Sequence, residues 1–153
     1  MNTYIQTGLK KFPTQFATVS FKDGKPVYKQ SDAKRTDRFT YKAYIEKIID
    51  GDTLWVIWDA GFSMLLRQKV RLRGIEAPEI DTQEGKIVRQ YVLDTLKGLP
   101  FVIIKSKTRD KFDRPLVDLY YIKGTEDAQT VLEKGIYLNQ ELLNKELVSI
   151  YEA

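Results

Sequence analysis

The chain predicts an α+β fold, a small closed β-barrel of the five-stranded OB type carrying helices, with one helix plugging an end of the barrel. Two observations predict it. Five short β-prone segments are each bounded by turn residues, and one run of helical periodicity interrupts them, with a second short helix after the last. At 153 residues the chain is long enough for one domain with a proper core and short for two. Residues 39–153 are expected to form that domain, and residues 1–38 an N-terminal arm with a hairpin and a linker.

Taken in order, residues 1–15 show little periodicity and read as a loose arm. Residues 16–28 hold two β-prone runs around Lys22-Asp23-Gly24-Lys25, and an Asp-Gly pair between such runs signals a hairpin. Residues 31–38 are polar and aperiodic, as a linker would be. Residues 39–49 and 54–58 are rich in aromatic and β-branched residues and form the first two barrel strands, bent apart by Asp50-Gly51-Asp52-Thr53. Asp59-Ala60-Gly61 is expected to turn the chain into a third strand at 67–73, with Val70 and Leu72 on the face opposite Arg71 and Arg73. Arg73 is expected to face water.

Asp81-Thr82 offers N-cap residues to a helix whose apolar positions are Ile87, Val88, Tyr91, Val92 and Leu96, stopped by Gly98 and Pro100. Residues 101–104 read as a buried strand that turns alternating and basic through Lys105 and Lys107. A charged turn at 108–114 leads to the fifth strand at 116–122. Residues 123–135 read as a polar loop, and a short helix starts at Leu138. Trp55 and Trp58 are both expected to be barrel packing rather than base-stacking platforms.

The composition, 42% hydrophobic and 30% charged, is that of a globular protein, and no apolar run approaches the length of a membrane span. The net charge of +4 favours polyanionic partners. Cysteine and histidine are absent, which removes disulfides, Cys/His zinc sites, cysteine nucleophiles and histidine acid–base catalysis. Hydrolytic chemistry must then use carboxylates, arginines, lysines, tyrosines or a metal. The N-terminus has no continuous apolar run of the signal-peptide kind, so the protein is expected to be cytoplasmic if that end is native and secreted if a leader was removed.

One stretch organises the chemistry. Val70-Arg71-Leu72-Arg73-Gly74-Ile75-Glu76-Ala77-Pro78-Glu79 is a strand that delivers two carboxylates around a proline. If the Asp50–Thr53 turn meets it in space, the carboxylates make a site for a hard cation, since calcium and magnesium prefer such oxygens. Arg71 would lie beside that cation. A metal and a planar guanidinium converging on one point suit a phosphate.

These motifs, with Asp110-Lys111-Phe112-Asp113-Arg114 and Leu138-Asn139, resemble the staphylococcal nuclease (thermonuclease) family over residues 41–150. The resemblance implies an OB-fold barrel, a bound calcium ion, and hydrolysis of DNA and RNA at the 5′-oxygen that leaves 3′-phosphates. Residue by residue, it implies that Asp52 and Glu76 are the calcium carboxylates and that Ala77 offers its main-chain carbonyl. It makes Glu79 the residue that holds or deprotonates the attacking water, and Arg71 and Arg114 the pair that grips the phosphate. Lys111 and Phe112 would contact the substrate. Glu76 stands where the family usually has aspartate, Ala77 where it has threonine, and Phe112 where its best-known member has tyrosine. The expected partner is single-stranded DNA or RNA as substrate, met by a monomer with no membrane attachment; the alternative is an OB-fold module of a larger protein that binds without catalysis.

Overall fold

The computed structural model describes residues 4–6, 16–30 and 39–152, with side chains from residue 20 of the hairpin onwards up to residue 27. The chain divides into two compact units, Met1–Arg38 and Phe39–Ala153. In the first, β1 (Tyr4–Gln6), β2 (Phe16–Lys22) and β3 (Lys25–Gln30) form an antiparallel sheet in that order, with Asp23-Gly24 closing the β2–β3 hairpin. The strand at β1 differs from the arm expected there. Three residues can join a sheet edge by main-chain pairing alone, which leaves no side-chain period to detect. The linker expected at 31–38 lies outside the described residues.

In the second unit, β4 (Thr40–Ile48), β5 (Thr53–Gly61), β6 (Met64–Leu72), β8 (Val102–Arg109) and β9 (Pro115–Tyr121) close into a five-stranded mixed barrel of OB-like form. Neighbours are antiparallel except β6 and β9, which run parallel through Arg71↔Leu116 and Leu72↔Val117. Alternation explains the closure: along β9 every second residue from Pro115 to Tyr121 is buried. Bulges at Ile45/Lys47, Asp59/Gly61 and Ser106/Thr108 supply the curvature. Leu54, Val56, Val70, Leu72, Val102, Ile104, Val117 and Leu119 fill the interior, each fully or almost fully buried.

Three short helices complete the unit: α1 (Gln83–Leu96), α2 (Ala128–Lys134) and α3 (Leu138–Asn144). Helix α1 is capped by Thr82, whose hydroxyl accepts from Gly85 N–H, and buries Val88, Val92 and Leu96. Ile87, expected on that face, is exposed instead, because the buried stripe is narrower than the run of apolar residues. Helix α3 buries Leu138 and Leu142 in the main core, and its Glu141 accepts hydrogen bonds from the Tyr91 and Tyr121 hydroxyls, tying α1, α3 and β9 together. Asn139, 2% exposed, accepts from Leu119 N–H and donates to the carbonyls of Arg73 and Val117.

Helix α2 lies where a polar loop was expected. Asp127 caps it by accepting from Thr130 N–H, and Val131 packs with Phe101 and Ile103 on the outer side of β8. That outer cluster is why 101–104 reads as continuously apolar: the strand is covered on both faces. The β5–β6 turn also moves. Phe62 and Ser63, both at positive φ, make the two-residue turn, and Asp59 accepts from Gly61 N–H within a bulge of β5. The Asp and Gly that signalled a turn are the bulge. Two further short strands, β7 (Ile75–Glu76) and β11 (Ser149–Ile150), pair antiparallel, and β10 (Ile136–Tyr137) extends the barrel sheet beside β9. Among the described residues, no helix is long and apolar enough to cross a membrane.

Candidate functional site

The site begins in the turn between β4 and β5. Asp50 folds that turn by itself, its Oδ1 accepting from the N–H groups of Asp52 (3.0 Å) and Thr53 (2.8 Å). This leaves the Asp52 carboxylate free to act elsewhere. Asp52 is 4% exposed; Oδ1 accepts from the Thr53 hydroxyl at 2.9 Å and Oδ2 from Ala77 N–H at 2.8 Å. Its own carbonyl accepts from Leu72 N–H at 2.8 Å. The two acidic segments therefore meet. Gly51 permits the approach, because a Cβ there would stand 2.8 Å from the Ala77 Cβ and would collide with Val88 of α1. Burial, together with the Asp52 carboxylate beside it, pushes the Asp50 carboxyl above its ordinary value.

Strand β6 brings Arg71 to the same place. Its Nη1 lies 3.4 Å from Asp52 Oδ2, and its Nη2 donates to the Ile75 carbonyl at 3.2 Å. The guanidinium also lies 5.1 Å from the ring centre of Tyr151. Tyr151 reaches it because β11 pairs with β7 and Tyr151 N–H donates to Gly74 O. Nothing local in the sequence marks Tyr151 as a neighbour of Arg71; only the long-range pairing of Ser149 with Glu76 brings it there.

Glu76 and Glu79 are exposed and line a cleft of about 460 Å³ with Ala77 and Glu146. The main chain of Glu79 is fixed by α1: its carbonyl accepts from Thr82 N–H and, at 2.6 Å, from the Thr82 hydroxyl. Gly85 in the first helical turn packs so closely on that carbonyl that no Cβ fits between. Among the described residues, no three acidic side chains gather closely enough to hold a metal between them. The donor set still suits a hard cation, since Asp52 and the Glu76-Ala77 segment are joined by a hydrogen bond and offer only oxygens. Such a cation would rest on two carboxylates, main-chain oxygen and water, a mixed shell that calcium accepts.

Arg114 sits at the end of the β8–β9 turn, two residues before Leu116, which pairs with Arg71. It lies one residue before β9 begins and lines one open groove with Lys69. Asp110 holds it: Oδ2 accepts from Arg114 Nε at 2.7 Å, and Oδ1 accepts from the N–H groups of Phe112 and Arg114. Burial works against the Asp110 charge, but the Arg114 and Phe112 hydrogen bonds outweigh it and hold the carboxyl below the usual carboxylate range. Phe112 projects into solvent, with Lys111 and Arg114 both close to its ring. Arg73, expected to face water, is half exposed and makes a paired contact with Asp118.

The two tryptophans part company. Trp58 stacks on Tyr41 at 5.0 Å between ring centres and packs against the core. Trp55 does not belong to the core; it lies on the outer face, with the Arg67 guanidinium 4.0 Å and the Lys69 ammonium 5.4 Å from its ring centre. Packing was the wrong expectation for Trp55. Residues three apart in a strand point to opposite faces, and Leu54 and Val56 take the inner one.

Fold and site together define an OB-like barrel with helices that presents a buried aspartate, a guanidinium and two exposed glutamates on neighbouring segments. No protein-family model matches the chain, and no curated protein does.

Proposed function

We propose that the chain is a calcium-dependent nuclease of the staphylococcal nuclease type, an endonuclease that hydrolyses single-stranded DNA and RNA and leaves 3′-phosphates. The observation that carries this reading is the convergence of Asp52, the Glu76-Ala77 segment and Arg71, joined by the 2.8 Å bond from Ala77 N–H to Asp52 and the 3.4 Å approach of Arg71. In this reading the Asp52 and Glu76 carboxylates and the Ala77 carbonyl hold the calcium ion. When bound, the ion supplies positive charge to a phosphoryl oxygen.

The chain's own residues do the rest. Glu79 takes a proton from a water whose oxygen attacks phosphorus and later returns it to solvent; the bond to the 5′-oxygen breaks, and that oxygen leaves as a hydroxyl by taking a proton from solvent water. Arg71 and Arg114 hold the oxygens that gain charge, a bidentate task suited to guanidinium. A positioned base supplies only about 10²–10⁴ in rate, so the fixed positive charges must supply most of the acceleration.

Plasmid nicking and oligonucleotide cleavage, each with calcium and with chelator, test the reading. Cleavage that chelator abolishes and calcium restores is expected, and equal activity in both sinks it.

A further inference from the structure

The outer face of β6 carries Arg67, Lys69 and Arg71 at every second position, so the row starts at the proposed phosphate site and runs away from it. Successive members are about 6.8 Å apart along an extended strand, comparable to the spacing of neighbouring phosphates in an extended single strand. On β5, Trp55 pairs directly with Lys69, and its ring lies under the Arg67 guanidinium. Across from them stand Arg114 and the exposed ring of Phe112. Together these residues line an open groove of about 650 Å³.

Glu46 decides how this groove is read. It accepts from Arg67 Nε and Nη2 in a fork at 2.8–3.0 Å, which fixes the guanidinium over Trp55. The pairing offsets part of Arg67's charge and keeps its guanidinium 4.0 Å from the Trp55 ring centre. Lys69, by contrast, has no carboxylate partner at ion-pair distance among the described residues. A cross-strand cation–π contact would by itself explain Trp55 and Arg67 as sheet stabilisation. It does not explain the 68% exposed Phe112 that lines the same groove.

We infer that this groove is a second subsite for single-stranded nucleic acid, in which the Trp55–Arg67 stack is a platform for a base of a flanking nucleotide and Lys69 takes the adjoining phosphate. Bases stack on aromatic rings and on guanidinium planes alike, and the face of barrel strands two and three is where OB folds bind oligonucleotides. The inference rests on the proposed function for its ligand class but needs no catalysis.

The test uses the full chain in chelator, so that nothing is cleaved. A Trp58→Phe variant leaves Trp55 as the single tryptophan. Its fluorescence is followed against oligothymidylate and against an abasic oligomer of the same length, alongside anisotropy of the labelled oligomers on the parent, Trp55→Ala and Arg67→Ala. Quenching by oligothymidylate but not by the abasic chain is expected, with affinity for oligothymidylate lowered roughly 5- to 100-fold in the two alanine variants, as the loss of one stacked base implies. Should Trp58→Phe or Trp55→Ala misfold by circular dichroism, the Arg67→Ala comparison of the two oligomers decides. Unquenched Trp55 fluorescence, alanine variants that bind as the parent does, or no binding at all would overturn the inference. Quenching in a protein that never cleaves leaves the subsite standing and removes the nuclease reading; calcium-dependent cleavage with no quenching does the reverse.

Discussion

Ala77 N–H donates to Asp52 Oδ2 at 2.8 Å across a separation of 25 residues, so the turn after β4 and the segment after β6 are held as one unit. The contact depends on Gly51. A methyl group there meets Ala77 and Val88, and both are anchored, one by the hydrogen bond and the other in α1. Gly51→Ala should therefore cost about 1–3 kcal/mol, as overpacking does, and part Asp52 from Ala77. Thermal unfolding followed by circular dichroism reads the first effect and nuclease assay the second. Parent-like values in both would show that the approach is not tight.

Arg71 and Arg114 should not tolerate lysine. Arg71 uses one nitrogen on the Ile75 carbonyl and another toward Asp52, and Arg114 is held through Nε by Asp110. A lysine ammonium cannot divide itself in this way. Activity should fall on the order of 10²-fold in each variant, a loss typical of one missing charge-stabilising group, while far-ultraviolet circular dichroism stays unchanged. Near-normal turnover in Arg114→Lys would reduce that residue to a surface charge.

The Asp110–Arg114 contact sets an acid limit. Because the folded-state Asp110 carboxyl is held below its ordinary value, its contribution is full above the unfolded value of about 3.9 and is lost as pH falls through the lower folded one. Asp110→Asn should remove that contribution at neutral pH and flatten the stability profile below about pH 4. Thermal midpoints of the two proteins between acid and neutral pH make the comparison. Profiles that run parallel throughout would show that Asp110 does not titrate differently on folding.

Glu76 tests the metal assignment. One methylene shorter, Glu76→Asp should keep or improve calcium affinity and activity, while Glu76→Ala should lose most of both. The added bond in glutamate is on the order of 1.5 Å, against calcium–oxygen distances that span only about 2.3–2.6 Å. Calorimetric titration with calcium, beside nuclease assays, decides: an alanine variant that binds and cleaves like the parent means another group is the second carboxylate.

Asn139 serves three main-chain groups, the buried Leu119 N–H and Val117 carbonyl and the partly buried Arg73 carbonyl, and so joins α3 to the β6 and β9 ends of the barrel. Asn139→Leu keeps much of the volume and leaves those groups without it. A loss on the order of 3 kcal/mol is expected, read as a lower urea midpoint. A change below about 0.5 kcal/mol, the size of an ordinary surface effect, would mean that the main-chain groups find other partners.

Whatever depends on near neighbours was legible in the chain. Alternation along β6 put Val70 and Leu72 inside and Arg71 outside, Asp50 marked its own turn, and Thr82 capped α1, because these features are decided within a few residues of chain. The same local spacing puts Trp55 and Trp58, three apart in β5, on opposite faces, against the expectation of packing for both. The rest depends on contacts between distant segments. An Asp and a Gly signal a turn, yet Asp59 and Gly61 form a bulge, since the register of β5 on β6 fixes where the strand may end. Residues 128–134 became a helix because Val131 had Phe101 and Ile103 to cover, a surface that exists only after β8 joins the barrel. Tyr151 reached Arg71 only through the pairing of β11 with β7, and no period in the sequence records a main-chain hydrogen bond made to a strand some seventy residues away.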